Sequence, residues 1–200
     1  MDGQPYAFIH VDGEEERHEG GSQTNLEEAK RVVELLLELR LVARKTRVDN
    51  EWTSVDRVRV ITFYQAQVAL ISKMLEKKGL KNIVVSTVDS SQGSESDVII
   101  ISFVRTGKQA SVGFLTDNRR LNVALTRARH QLIVVGNANT LARVSDAVAI
   151  QALLEDARER GFILGDEEET SEVFETELAT SVKVRPAHCP RIFFPAVCTS

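Results

Sequence analysis

Two stretches of the sequence carry residue types suited to binding phosphate. The first is Val85-Ser-Thr-Val-Asp-Ser-Ser-Gln-Gly-Ser-Glu-Ser-Asp97, which follows an apolar run and precedes another. Hydroxyls, an amide and bare backbone N–H groups at the end of a buried strand suit phosphate oxygens, and ligands of open α/β sheets bind at that carboxyl edge. Gly93 lets the backbone turn sharply or approach a ligand. The same composition would also serve a polar connection that merely turns the chain. The second stretch is Arg119-Arg-Leu-Asn-Val-Ala-Leu-Thr-Arg-Ala-Arg129. At helical spacing Leu121, Ala124, Leu125 and Ala128 form an apolar stripe, and Arg120 and Arg127 fall near one another on a second face. Guanidinium groups two turns apart could reach one polyphosphate, since each stays charged and binds oxygens bidentately. A solvated basic helix face would look the same.

The elements that must hold these residues alternate between two periodicities. Pro5–Val11 is a short apolar run ending in Asp12-Gly13 and reads as a strand, followed by a Gly- and acid-rich loop. Asn25, with Glu28 three residues on, predicts a capped helix start, and Leu26, Ala29, Val32, Val33, Leu36, Leu37 and Leu39 follow at helical period. Strands are expected at 58–63, 83–87, 97–104 and 131–136, with helices from after 63 to Leu80, from Asp117 to about Ala128, and within 137–161. The run 97–104 is apolar nearly throughout, as a strand buried on both faces would be. The alternation predicts an α/β domain with a largely parallel sheet covered by helices on both faces, residues 1–165. The acid run Asp166–Glu169 and the Pro-containing ending then read as a tail over 166–200.

Bulk properties bound the function without naming it. Two hundred residues at 42% hydrophobic and 27% charged suit one ordinary globular domain and argue against global disorder. No apolar run reaches the roughly 20 residues of a membrane span, and the start lacks the features of a secretory signal, so no membrane partner is expected. Cys189 and Cys198 lie outside any core segment, which fits a reducing interior better than a disulfide framework. With one nearby His they lack a fourth partner at finger spacing, and no metal site is expected. Residues 1–19 carry six acids against one Arg, and 161–200 seven acids against three bases. The middle of the chain is therefore net basic, which is compatible with a polyanionic partner.

Taken in order, the motifs resemble those of a known family. Thr87-Val-Asp-Ser-Ser-Gln-Gly-Ser-Glu95, followed by Asp97-Val-Ile-Ile-Ile-Ser-Phe-Val-Arg105, is similar to motif V of superfamily 1 helicases. Gly113 to Arg129 resembles motif VI in its Upf1-like form, and Ile61-Thr-Phe-Tyr-Gln-Ala-Gln67 resembles motif IV, with Phe63 where that branch usually has Pro. Ser22, Asn25 and Glu28-Ala29 fall on further landmarks of the branch, so the likeness spans about residues 5–162. It implies the second, C-terminal RecA-like domain of such a helicase. By the same resemblance Arg127 is the arginine finger. Gln92, Gly93, Glu95, Tyr64 and Gln67 join it on the nucleotide side of the cleft. Thr87, with Ser86 and Arg105, faces a nucleic-acid phosphate. Ser94 replaces the basic residue usual between the Gly and the Glu, so a phosphate contact there is not carried over.

What the sequence lacks is equally informative. Nothing matches Gly-x-x-x-x-Gly-Lys-Ser/Thr, the loop that wraps phosphates and seats Mg²⁺. Phe162-Ile-Leu-Gly-Asp-Glu-Glu-Glu169 has the outline of a Walker B strand and acid pair, but it follows motif VI and opens an acid run, so it reads as solvated tail. ATP and Mg²⁺ are therefore expected to sit mainly on an absent first RecA-like domain, with single-stranded RNA or DNA as the other partner. The branch implies 5′-to-3′ movement inside the cell, in cytoplasm or nucleus. A non-catalytic helicase remnant that binds nucleic acid or protein is the rival expectation, and a nucleotide-binding α/β domain of another family is a third.

Overall fold

The computed structural model describes residues 6–45, 57–106, 117–144 and 147–165. In chain order the elements are β1 (Tyr6–His10), β2 (Glu15–Arg17), β3 (Gln23–Asn25), α1 (Leu26–Lys45), β4 (Val58–Thr62), α2 (Gln65–Lys77) and β5 (Val84–Thr87). They continue with β6 (Ser96–Ser102), α3 (Asn118–Leu125), β7 (Ala128–Gly136), α4 (Ala138–Leu141), α5 (Val148–Arg160) and β8 (Ile163–Leu164). Six strands form one sheet in the order β5-β4-β6-β7-β1-β8, and every pairing in it is parallel. The expected α/β architecture with a covered parallel sheet is what the chain adopts.

The central strands of the sheet are buried on both sides, which is why β6 carries the unbroken apolar run Val98–Ile101 rather than an alternating one. On one side Ala7, Ile9, Val60, Ile100, Ile133 and Val135 pack with Val32, Leu36 and Leu39 of α1 and Ile71 and Leu75 of α2. On the other, Phe8, Ile61, Ile99, Ile101 and Val134 pack with Leu121 and Leu125 of α3 and Ile150, Leu153 and Ala157 of α5. Tyr6 donates a hydrogen bond to Asp156, which also accepts from Arg160, and stacks edge-on against Phe162 at 5.4 Å. These contacts fasten α5 to the first strand.

Four details depart from the sequence-based expectation. The segment after β1, expected as a loop, contains the antiparallel β2–β3 ladder from Glu15↔Asn25 to Arg17↔Gln23. Helix α3 stops at Leu125 instead of about Ala128, because Ala128 is already paired with Ser96 in the sheet. Arg127 thus lies in the two-residue link between α3 and β7, and the expected helical face shared with Arg120 does not exist. Ile163–Leu164, expected in the solvated tail, pair in parallel with Phe8 and Ile9 as an edge strand. Finally, β6 ends two residues early at Ser102. Val104 stands at φ +73°, a left-handed conformation that costs a β-branched residue about 1–2 kcal/mol. Residues 166–200, including the acid run, and residues 107–116 lie outside the described residues.

Candidate nucleotide and nucleic-acid site

The connection from β5 to β6 crosses the α3 side of the sheet without a helix of its own beyond one 3₁₀ turn, Asp89–Ser91. It is anchored where it leaves β5: the Val88 N–H donates to the Thr62 carbonyl at 3.0 Å, and the Val88 side chain is buried in the α3 core. Its interior is shaped by hydroxyls. Thr87 Oγ1 and Ser90 Oγ lie 2.9 Å apart, Ser91 Oγ donates to the Val88 carbonyl at 2.7 Å, and Ser94 Oγ donates to the Ser91 carbonyl at 2.6 Å. Gly93 has φ +82°, and a side chain there would meet nothing within 4 Å, so the glycine serves backbone conformation rather than space.

At its far end the connection meets the α3–β7 link. The Ser96 N–H donates to the Arg127 carbonyl at 3.2 Å, which ties the start of β6 to that peptide. The Arg127 Nε donates to the Val123 carbonyl at 3.0 Å, and among the described residues no carboxylate pairs with its guanidinium. Arg129, by contrast, reaches Asp97 at 3.4 Å and donates to the Glu95 carbonyl at 3.1 Å. Asp97 also takes Arg57 at 3.2 Å, so one carboxylate gathers guanidinium groups from β7 and from the residue ahead of β4. Arg120 is 3.0 Å from Asp89 and 3.6 Å from Asp117, and therefore bridges the connection to α3. A shallow cleft of about 240 Å³ opens beside this bridge, lined by Gln92, Arg119 and Arg120 among others.

The residues expected at the site thus fall into three groups. Gln92, Gly93 and Glu95 are exposed on the connection, and Arg127 is half-buried where the connection ends. Thr87 and Ser86 sit on the edge strand β5, Thr87 half-exposed and Ser86 with its hydroxyl buried and without a partner. Tyr64, Gln67 and Arg105 are drawn away to the carboxyl edge of the sheet, and all three are buried. Arg105 reaches Glu15 at 3.1 Å and donates to Gln23 Oε1 at 2.7 Å. Tyr64, at the head of α2, is bonded to the Arg105 guanidinium, and burial pushes its hydroxyl above the usual tyrosine range. The Gln67 amide is fully occupied: Oε1 accepts from the Asn25 N–H at 3.0 Å, and Nε2 donates to the Asn25 carbonyl at 3.0 Å and to Ser102 Oγ at 3.1 Å.

Sequence reasoning found neither Asp89 nor Asp97 as partners of the arginines, although both lie within the first phosphate-binding stretch. It took Asn25 and Glu28 as a helix cap, which is half of what they do. Asn25 Oδ1 accepts from the Glu28 N–H at 3.1 Å, as a cap should. The reciprocal bond of a capping box is not made, because the Asn25 N–H is taken by Gln67. The Glu28 carboxylate turns instead to Ser102 Oγ at 2.7 Å and the Val104 N–H at 2.8 Å.

A parallel sheet carrying a polar connection and an arginine-bearing link on one face, at the junction of motifs V and VI, defines a RecA-like helicase domain. Comparison with known proteins agrees. A family model described as an AAA domain matches residues 1–139. An uncharacterised ATP-dependent helicase of Methanocaldococcus jannaschii is 42% identical over 138 residues, covering 68% of this chain and 18% of its own length. The probable helicase senataxin of Mus musculus is 37% identical over 164 residues, covering 80% of this chain and 6% of its own. The regulator of nonsense transcripts 1 of Dictyostelium discoideum is 47% identical over 93 residues, covering 44% and 7%. The chain belongs to this AAA-domain family, and its relatives are Upf1-like superfamily 1 helicases. It spans less than a fifth of the length of each of these relatives.

Proposed function

We propose that this domain completes an ATPase whose P-loop lies on another RecA-like domain, and that it holds single-stranded RNA or DNA while the nucleotide turns over. In this reading Arg127 is the arginine finger. Its role is to stabilise charge developing on the γ-phosphate, an electrostatic task that needs a guanidinium not already neutralised. The observation that carries the proposal is the placement of Arg127: its peptide is bonded to the start of β6, and no described carboxylate occupies its guanidinium. The neighbouring Gly93, with its bare N–H, and the exposed Glu95 and Gln92 suit a nucleotide. Mg²⁺, which such enzymes hold with a P-loop hydroxyl and a Walker B acid, is assigned to the other domain.

On the nucleic-acid side, Thr87 is the accessible hydroxyl at the end of β5, backed by Ser86. Thr87 Oγ1 and Ser90 Oγ share a hydrogen bond at 2.9 Å, and Thr87 donates to a phosphate oxygen by turning its hydroxyl proton from Ser90 to the ligand. Arg105 reaches a phosphate only if it gives up Glu15 or Gln23. Translocation in the 5′-to-3′ sense and an intracellular site of action complete the proposal. Among the described residues no helix is long and apolar enough to cross a membrane.

The test compares the 200-residue chain with a protein that also carries the P-loop domain. The chain alone is expected to show no nucleic-acid-stimulated ATP hydrolysis, and hydrolysis above background by the purified chain defeats the proposal. In the two-domain protein Arg127→Ala is expected to lower kcat and spare nucleic-acid affinity, while Thr87→Ala does the reverse.

A further inference from the structure

The carboxyl edge of the sheet holds a closed set of buried polar side chains that the proposed chemistry does not use. Glu28 is completely buried, one turn into α1. Its Oε2 accepts from Ser102 Oγ at 2.7 Å, the Val104 N–H reaches both carboxylate oxygens at 2.8 and 3.0 Å, and Asn25 Nδ2 lies 3.4 Å from Oε1. Asn25 Nδ2 also faces the Val104 carbonyl at 3.3 Å. Gln67 closes the ring by bonding both Asn25 and Ser102. Four elements (β3, α1, α2 and β6) meet in this ring.

The donors and acceptors of the ring admit one arrangement. Asn25 Nδ2, Ser102 Oγ–H and the Val104 N–H all donate towards Glu28, so the carboxylate is the common acceptor. Val104 is the one described non-glycine residue with a positive φ, at +73°. The bonds from Glu28 and Asn25 grip both polar atoms of its peptide unit. The next residue, Arg105, is thereby aimed at Glu15, Gln23 and Tyr64, and Thr106 follows with its N–H on Glu15 Oε2 at 3.1 Å.

We infer that Glu28 is the positioning residue of this edge: its carboxylate holds Val104 in the left-handed conformation and so sets where Arg105, Tyr64 and Gln67 stand. The groups in and around the ring decide how its charge behaves. No cation touches the carboxylate among the described residues. Glu15 on β2 bears on it across the Arg105 link, Tyr64 lies at the head of α2, and Arg31, one turn along α1, is turned towards Glu34 and Glu38. On the β7 side the neighbour is Gly136, whose missing side chain would stand 3.9 Å from Oε1. Burial therefore lifts the Glu28 carboxyl to about 7, against the pull of its hydrogen bonds. Proton uptake converts one carboxylate oxygen into a donor, which Ser102 Oγ accepts only by turning its own O–H away, so the ring rearranges around Val104.

The inference is tested on the isotope-labelled 200-residue chain by following the Val104 amide and the Arg105 side-chain N–H by NMR between pH 5.5 and 8.5. Both signals are expected to titrate with a midpoint near 7. The midpoint should vanish in Glu28→Gln and persist in Glu15→Gln. Flat signals in the wild type, a titration retained in Glu28→Gln, or one abolished in Glu15→Gln overturns it. Should Glu28→Gln fail to fold, Glu28→Asp, with its shorter reach, is expected to displace the midpoint, and an unmoved midpoint counts against Glu28. A second readout rests on the helicase proposal: binding of a fluorescent single-stranded oligonucleotide should change severalfold between pH 6 and 8 in the wild type and little in Glu28→Gln. A wild-type chain that binds no oligonucleotide at any pH defeats the helicase proposal alone, and the amide titration still decides the role of Glu28.

Discussion

At the carboxyl edge, Asn25, Gln67, Ser102 and Glu28 commit their hydrogen-bonding atoms to one another. Across the α3 face, Gln92, Glu95 and the guanidinium of Arg127 make almost no such commitments among the described residues. Both regions are built from residues that a motif reading groups together. Burial separates them: the edge residues are satisfied and enclosed, so their substitution is felt as lost stability. The face residues are half-open with spare valence, so their substitution is felt by a ligand. A polar side chain in a helicase motif is thus a ligand contact only where the fold leaves it something to give.

The contrast can be broken from either side. The largest effect is expected for Arg127→Ala in the two-domain protein, a fall in kcat of about 10³-fold or more. Nucleic-acid affinity should stay within about threefold by fluorescence anisotropy, since a mutation felt only in the transition state leaves ground-state binding alone. Gln67→Leu should behave in the opposite way. It removes the side-chain partner of the buried Asn25 N–H and carbonyl and one of the two partners of Ser102 Oγ, and is expected to cost about 2–4 kcal/mol in urea unfolding. If Gln67→Leu instead folds as the wild type does and weakens only nucleotide affinity, the division between edge and face is wrong.

A smaller effect comes from pH. The Glu28 carboxyl is lifted from its ordinary 4.5 to about 7 in the folded protein, so the native state holds the extra proton between those values. Its contribution to stability is therefore full below about 4.5 and lost as pH rises through about 7. The wild type is expected to lose up to about 3 kcal/mol against Glu28→Gln between pH 5 and 8, measured as urea midpoints of the pair. The smallest effect is on the face. Asp89→Ala removes the ion pair with the half-exposed Arg120 and should change stability by less than about 1 kcal/mol.

Much of this arrangement is legible in the residues themselves. The strands β6 and β7 announce themselves by the apolar runs 98–101 and 132–135 because both faces of the sheet are covered there, and Asn25 marks the start of α1 by its cap. The hairpin of Glu15–Arg17 and Gln23–Asn25 gives no such signal, since neither strand carries an apolar alternation. The end of α3 is hidden for a different reason. Thr126-Arg-Ala-Arg129 can continue a helix, and only its pairing with Ser96, thirty-odd residues earlier, converts it to strand. The division of the site is hidden too. That Gln67 is saturated depends on Asn25 and Ser102, 42 and 35 residues away in sequence. Motif spacing raises the expectation of which residues serve the chemistry, while the long-range partners show which of them are already committed within the fold.

The position of β1 has a consequence for how the domain comes into being. This strand, Tyr6–His10, lies between β7 and β8, whose residues come more than a hundred positions later. During synthesis its apolar Tyr-Ala-Phe-Ile sequence emerges ahead of the rest of this sheet and meets its first in-sheet neighbour only when the chain has passed residue 128, and its second only at 164. Contacts so distant in sequence make for slow closure and a long interval with an exposed strand edge. A chain cut short anywhere before β7 therefore lacks both in-sheet neighbours of β1, and the sheet cannot close around that strand.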